Sequence, residues 1–224
     1  MVTIDTDGTT AERLSSVGAR RRRTRLALLD AGLELMSEKP IDAVSVDEIV
    51  RAARVAKGSF FNHFDDKDAF AAAVAGQVRG EIEQAITELN ADVEDPAIRV
   101  ARAVCVYIRC AVRDPRRAGV LLRISSHLPR IAAPLNRGVV ADISQGLLAA
   151  RFTLPTAEAG VLLVLGVAQI ALARVVSEPS LSVAAALGQQ LCALLLRGLG
   201  VADADAVAAR AVHEVLGPTG PPPP

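Results

Sequence analysis

The stretch between Ser45 and Phe64 has room for only two short helices joined by a tight turn. Ser45 and Glu48 have the spacing of a capping box, in which each residue binds the backbone amide of the other. The first helix must end soon, because a second helix start follows at residues 54–56. Phe60 and Phe64 lie four residues apart and give the second helix one apolar face. Two short helices around a tight turn predict a helix-turn-helix.

The sequence on either side of this stretch predicts an all-α fold. Hydrophobic residues make up 51% of the 224 residues and charged residues 22%, which is typical of a globular chain. Apolar residues recur with a helical period rather than alternating, which disfavours a sheet. Helices are predicted before the helix-turn-helix at residues 20–38 and after it at 65–90, 96–113, 116–126, 129–151, 155–177, 181–199 and 203–216. We therefore expect an N-terminal three-helix head and a larger C-terminal helical body.

The same pattern sets the expected domain organisation. Residues 1–19 are polar and predict a flexible N-terminal arm, and 20–66 form the helix-turn-helix domain. Residues 67–216 form the helical body, and the proline-rich residues 217–224 predict a disordered tail.

Charge is balanced over the whole chain but not along it. The chain has 25 basic and 25 acidic residues, so a general attraction to polyanions is not expected. Residues 20–64 contain nine Lys and Arg against six acids, and five of the nine are the arginines at 20–23 and 25. Two interpretations of this arginine run stay open: a solvated helix start, or a contact to DNA phosphate or the minor groove.

Several other classes of protein find little support in the sequence. No motif of a hydrolase, phosphate-binding loop or zinc protease is present, so neither an enzyme nor a cofactor or metal is expected. The three cysteines are too few for a disulfide framework, and Cys105 and Cys110 point to different sides of one helix. The most apolar segment, 159–173, has only fifteen residues, fewer than the roughly 20 that span a bilayer. No export signal is recognised in residues 1–19, and a cytoplasmic location is expected.

The segment SVDEIVRAARVAKGSFFNHFDDKDAF, residues 45–70, resembles the N-terminal signature of the tetracycline-repressor (TetR) family of bacterial regulators. The resemblance covers residues 22–70. It implies a DNA-binding head, a helical body that dimerises and holds a small molecule, and repression that this ligand relieves.

The exposed face of the second short helix offers small, polar and basic side chains, as a helix in the major groove requires. Lys57 suits a phosphate, Ser59 and Asn62 can bind base edges or backbone, and Gly58 permits close approach. Together with the resemblance, this gives the candidate DNA contacts Ser45, Arg54, Lys57, Gly58, Ser59, Phe61, Asn62, His63 and Lys67.

Two positions depart from the family pattern. Arg54 stands where the family usually has the turn glycine, so either the turn accepts a left-handed arginine or it has another shape. Phe61 stands where the family usually has tyrosine and lacks the hydroxyl that would reach a phosphate.

The resemblance places an effector among the middle helices, where polar side chains interrupt apolar ones. The candidate ligand contacts are Tyr107, Cys110, Arg123, His127, Asn136, Gln145 and Gln169. The alternative, favoured for any single one of them, is a structural role: Tyr107 and Gln169 as satisfied core or interface residues, and Arg123 and His127 as residues that face water. The apolar surroundings predict an apolar or amphipathic effector. The small residues in 157–176 and 181–199 favour a homodimer interface over an internal core.

The sequence therefore predicts a ligand-responsive, dimeric repressor that binds a palindromic operator. The partners are double-stranded DNA, a small-molecule effector and a second copy, without a membrane. The alternative is a helical lipid or small-molecule carrier at a membrane surface, without sequence-specific DNA binding; its support is the arginine run and the apolar helices.

Overall fold

The computed structural model describes residues 7–124 and 133–217. The described chain is helical and contains no strand. Its helices are α1 Asp7–Glu38, α2 Val46–Ala52, α3 Lys57–Phe61, α4 Lys67–Leu89, α5 Pro96–Arg113, α6 Pro115–Ile124, α7 Arg137–Leu148, α8 Ala157–Ser177, α9 Leu181–Gly198 and α10 Ala204–Leu216, with short 3-10 turns at Ile41–Ala43 and Pro134–Asn136. The predicted all-α class, with a helix-turn-helix head and a helical body, is confirmed.

The chain divides into two compact units between Ala75 and Gly76, inside α4. The sequence placed the division between residues 66 and 67. The sequence does not show this boundary, because it lies inside a continuous helix and neither a linker nor a change of composition marks it.

The first unit is held together by aromatic packing. Phe60 of α3 is completely buried, and its ring centroid lies 5.2 Å from that of Phe70 at the start of α4. Phe64 meets Phe70 edge to face at 5.0 Å. Gly32 of α1 lies against the Phe70 ring, so a β-carbon there would come within 2.8 Å of the ring carbon Cε1. The buried phenylalanines thus fix α3 by its inner face and leave the outer face free.

The second unit is built around α5, which packs against α6, α7, α8, α9 and α10. Asp95 caps α5, its carboxylate accepting from the Ala97 amide at 2.9 Å, and Pro96 occupies the first helical position as predicted. Arg151 joins two helix starts, since its guanidinium binds the carboxylates of Asp95 before α5 and Asp203 before α10. Cys105 lies against Cys192 of α9 with 3.8 Å between the sulfurs, and both are fully buried free thiols.

The helix ends differ from the predictions at several places. The first helix begins at Asp7, so the flexible arm expected over residues 1–19 is helical from residue 7. The seventh helix was predicted over 129–151 and begins at Arg137. Residues 1–6, 125–132 and 218–224, including the start predicted at Pro129 and nearly all of the predicted tail, lie outside the described residues.

Within residues 7–124 and 133–217, two helices, α8 with 21 residues and α9 with 18, are long and apolar enough to cross a membrane. The sequence predicts α8 over 155–177 but limits its apolar segment to 159–173, with Glu158 and Arg174 as the ends of that segment; both residues lie inside α8. Length and composition alone do not distinguish such helices from core helices of a folded domain. Here both pack against α5 and against each other.

Candidate nucleic-acid interface and inner cavities

The start of α2 is fixed by the predicted capping box between Ser45 and Glu48. The Glu48 amide donates to Ser45 Oγ at 3.2 Å, and the Ser45 amide donates to Glu48 Oε2 at 2.8 Å. Lys39 Nζ lies 2.7 Å from Glu48 Oε1. The Lys39 contact and the bonds from Ser45 lower the pKa of Glu48 to about 2. A phosphate bound at Ser45 would therefore meet a hydroxyl already engaged with Glu48.

The turn between α2 and α3 contains a left-handed arginine. Arg54 has φ 56°, and the next amide, of Val55, donates to the Val50 carbonyl at 3.0 Å. Of the two possibilities that the sequence left open, the left-handed arginine is the one observed. A non-glycine residue pays about 1 kcal/mol for this conformation. The Arg54 side chain is exposed. The left-handed backbone conformation therefore does not depend on burial of its guanidinium group.

Helix α3 ends before Phe64, and of the predicted polar face Lys57 and Asn62 are exposed, whereas Ser59 and His63 are half-buried. It spans Lys57–Phe61, and Asn62 is its C-terminal cap. Lys57, Gly58 and Asn62 are exposed, and Phe61 is 56% exposed. A β-carbon at Gly58 would meet nothing within 4 Å, so close approach to this turn is open.

An open cleft of about 450 Å³ lies between α1 and the end of α3. Its walls are Arg20, Arg21 and Thr24 on one side and Ser59, Asn62 and His63 on the other. Partial burial, Arg21 and Arg25 lower the pKa of His63. The arginine run is thus neither a detached arm nor remote from the candidate contacts. Sequence reasoning missed Thr24, although Arg20 and Thr24 have the i, i+4 spacing of one helix face.

Lys67 has a different position from the one expected of a DNA contact. Its ammonium donates to the backbone carbonyls of Val44 at 3.0 Å and Ile41 at 3.2 Å. These bonds tie the start of α4 to the loop before α2. The geometry therefore supports an anchoring role for Lys67 rather than the predicted contact to DNA.

Two small cavities in the second unit share Tyr107, Leu165 and Ala168 as lining residues. One of about 70 Å³ is also lined by Arg79 and Gln169. The other, of about 60 Å³, is lined by apolar residues and by Glu83, Thr87 and Asp142. The walls are largely apolar with a few convergent polar groups, as in a small-molecule site.

A hydrogen-bonded network fixes the polar groups of these cavities. The Tyr107 hydroxyl donates to Glu83 Oε1 at 2.7 Å, and Arg79 Nε lies 3.7 Å from the same oxygen. Arg79 also donates to the side-chain oxygen of buried Asn136. Burial raises the pKa of Glu83, and burial and the neighbouring Glu83 raise that of Tyr107.

The structure separates the seven candidate ligand contacts. Tyr107 and Gln169 line the inner cavities, and Asn136 supports them through Arg79. Gln145 is exposed and binds Arg99, and Arg123 is exposed on α6. Cys110 lines a separate outer cleft, and His127 lies outside the described residues.

Arg79 and Glu83 were missed by sequence reasoning. Their signal is a pair of opposite charges at i, i+4 spacing in α4. Asp142 was missed as well. Burial raises its pKa, while its partner Arg99, at 2.6 Å, acts in the opposite direction.

A short exposed helix, held by a buried aromatic face after a strained turn, defines a helix-turn-helix protein. Comparison with known proteins agrees with this class. Residues 28–74 match the family model described as "Bacterial regulatory proteins, tetR family". Over these residues the chain matches the TetR family.

Curated relatives match mainly in the head. The HTH-type transcriptional repressor DhaR of Mycobacterium sp. (strain GP1) is 32% identical over 79 residues, which are 35% of this chain and 40% of DhaR. The transcriptional regulator AcuR of Cereibacter sphaeroides is 50% identical over 48 residues, 21% of this chain and 22% of AcuR. The alignments thus span less than half the length of these relatives.

Solved structures match over most of the chain. RolR without ligand has a TM-score of 0.67 at 25% identity, covering 82% of this chain and 95% of RolR. FadR of Bacillus subtilis in complex with stearoyl-CoA has a TM-score of 0.65 at 15% identity, covering 77% and 98%. The second likeness concerns the fold alone.

Proposed function

We propose that this protein is a dimeric transcriptional repressor that binds a palindromic operator and is released by a small apolar or amphipathic effector. The observation that carries the proposal is the cleft at the end of α3, where half-buried Ser59 and His63 and exposed Asn62 lie beside Arg20 and Arg21 of α1.

The DNA-binding part of the proposal follows from the chemistry of that cleft. The arginines supply charge for phosphates, which position a protein on DNA without reading sequence. Ser59 and Asn62 supply hydrogen-bonding groups that can reach base edges in the major groove. The buried Phe60 holds the helix from behind. The curated relative DhaR is named a transcriptional repressor, which supports repression as the outcome.

The dimer is supported by apolar side chains that α8 and α9 leave exposed. Ile170 of α8 is 65% exposed, Leu162 44%, and Leu181 and Leu194 of α9 are 55% and 61% exposed. Large apolar patches on a soluble protein usually mark an interaction surface. A two-fold pair would present two recognition helices, and half-sites on DNA would lie about 34 to 36 Å apart.

The effector part of the proposal rests on the two inner cavities. Each is small, so an effector larger than a few atoms must join them by displacing Tyr107, Leu165 or Ala168. The apolar walls fit an apolar body, and the Tyr107–Glu83 pair fits a polar group on it. Two structural neighbours have been solved with small molecules. RolR has a structure with resorcinol, with a TM-score of 0.62 at 24% identity, covering 86% of this chain and 96% of RolR. FadR has a structure with stearoyl-CoA.

The test is selection of random duplex DNA on the purified protein at near-physiological salt, followed by sequencing. An enriched inverted repeat is the expected result, with a dimer by light scattering at the same concentration. Weak, salt-sensitive binding without enrichment would contradict the proposal. Binding to anionic liposomes in that case would favour the membrane-surface carrier, whose support is the apolar character of α8 and α9.

A further inference from the structure

The outer side of the α4–α5 pair contains a cleft that the proposed function does not use. Its volume is about 200 Å³, and it lies between Ile82 and Glu81 of α4 and Arg109, Cys110 and Arg113 of α5. The inner cavities use other positions of the same helices, including 83 and 87 of α4 and 104 and 107 of α5. The two sites therefore lie on different faces of the two helices.

Positive charge dominates this cleft. Arg109, Arg113 and Arg117 line it, with Glu81 as the one acidic lining residue. Glu81 is bound by Arg117, and Asp114 at the edge accepts from the Arg117 amide at 3.0 Å. Arg109 and Arg113 form no ion pair with the described residues. Two guanidinium groups one helical turn apart thus remain available to an anion.

Arg109 differs from an ordinary surface arginine, whereas Arg113, one turn away, is exposed. Arg109 is half-buried, and its burial and the neighbouring Arg113 lower its pKa. Two like charges on a partly dehydrated helix face repel each other, and a bound oxyanion removes that cost. Guanidinium groups also match the planar geometry of a carboxylate. The α4 side of the cleft is apolar, with Val78, Ile82 and Ala85.

The geometry points to a binding site for a small organic carboxylate in this outer cleft, with Arg109 and Arg113 holding the carboxylate and α4 contacting the apolar part. Neither the proposed operator surface nor the inner cavities contribute to this carboxylate site. The site can therefore be tested without DNA.

Cys110 provides the readout, because it lines the cleft and is half-buried, whereas Cys105 and Cys192 are completely buried. Burial raises the pKa of Cys110, so alkylation is followed at alkaline pH. In the native protein, the Cys110 thiolate attacks the CH2 carbon of either reagent and iodide leaves, so that iodoacetamide adds a carbamoylmethyl group and iodoacetate a carboxymethyl group to the sulfur. The two reagents differ in charge and little in size. Labelling is located by mass spectrometry, with Cys110→Ser as the blank.

The expected result has two parts. Relative to the rates with free mercaptoethanol, iodoacetate is favoured over iodoacetamide at Cys110, and Arg109→Gln/Arg113→Gln lowers this preference about tenfold. Benzoate protects Cys110 from iodoacetamide, and its neutral analogue benzamide does not. Arg116→Gln, which removes an exposed arginine outside the cleft, is the matched control and retains both effects.

Other outcomes have defined meanings. Equal protection by benzoate in the double variant and the wild type would overturn the proposal. Protection by inorganic phosphate as strong as by benzoate would also overturn it, since the α4 side would then contribute nothing. Ala168→Leu, which fills the inner cavities, leaves protection by benzoate unchanged if the outer cleft is the site. Loss of protection in Ala168→Leu would place benzoate in the inner cavities instead.

Discussion

Lys57 and Asp47 form an ion pair across the helix-turn-helix, with Nζ 2.9 Å from Oδ1 and both side chains more than half exposed. The pair joins the start of α3 to the first turn of α2. A DNA phosphate at Lys57 would compete with the Asp47 carboxylate for the ammonium group. The free head therefore has an internal competitor for DNA at one of its candidate contacts.

Lys57→Ala should weaken binding to every DNA sequence alike. Loss of one phosphate contact reduces the slope of log affinity against log salt by about 0.9. Asp47→Asn should have the opposite effect, because it removes both the competing partner and a negative charge near DNA. Titration of a labelled duplex at several salt concentrations measures both. Unchanged affinity in both variants would mean that α3 does not face DNA.

Asn62→Ala should change which sequences are preferred rather than the overall affinity. An amide that binds a base edge discriminates by about 1 to 3 kcal/mol at that base pair. The measurement repeats the random-duplex selection with the variant and compares the enriched positions. Lys67→Gln is a useful contrast, since Lys67 binds the carbonyls of Ile41 and Val44: it should lower stability and leave the preferred sequence unchanged.

Ser45→Ala should destabilise the head by about 1 kcal/mol, because the capping box loses the acceptor for the Glu48 amide. Urea unfolding at neutral pH measures this. The expected effect would be absent if the helix start were held by the Lys39–Glu48 pair alone.

The same box predicts a dependence on acid. The pKa of Glu48 is about 2 in the folded chain, whereas its ordinary value is 4.5. The stabilisation that ionised Glu48 gives the folded state is therefore complete above about pH 4.5 and is lost as the pH falls toward 2. The difference in stability between the wild type and Glu48→Gln should therefore shrink over that range. A difference in stability that stays constant from pH 6 to pH 3 would contradict the lowered pKa of Glu48.

Gly32→Ala and Gly80→Ala should change stability in opposite directions. Both glycines are helical, where alanine is ordinarily better by about 1 kcal/mol. At Gly80 a β-carbon meets nothing within 4 Å, so the gain is realised. At Gly32 it overlaps the Phe70 ring and Val74, which costs about 1 to 3 kcal/mol. Thermal unfolding should show a raised midpoint for Gly80→Ala and a lowered midpoint for Gly32→Ala.

Tyr107→Phe should raise the pKa of Glu83 further. The phenol donates to the carboxylate and favours its charged form, against burial that raises the pKa. Carbon NMR of labelled glutamate carboxyl groups follows the titration. Gln169→Ala removes a polar group from the neighbouring cavity without breaking this bond, and the pKa of Glu83 should stay where it is in the wild type.

The sequence by itself determined the helix-turn-helix, because its signals are local. A capping box, a turn and an i, i+4 aromatic pair involve residues close in the chain, and the structure places all three as predicted. The start of α1 at Asp7 was not determined, because the polar residues before Arg20 lack the apolar period that marks a helix.

Only the tertiary structure decided which side chains share a site. Arg21 and Asn62 are 41 positions apart and meet because Phe60, Phe64 and Phe70 pack α3 against its neighbours. Tyr107 bonds Glu83 inside the second unit, whereas Cys110, three positions along, opens to another cleft. Lys67 binds backbone carbonyls, and no residue spacing in the sequence predicts these bonds. Helical periodicity gives the face of a residue, but the partner on that face depends on how distant helices pack.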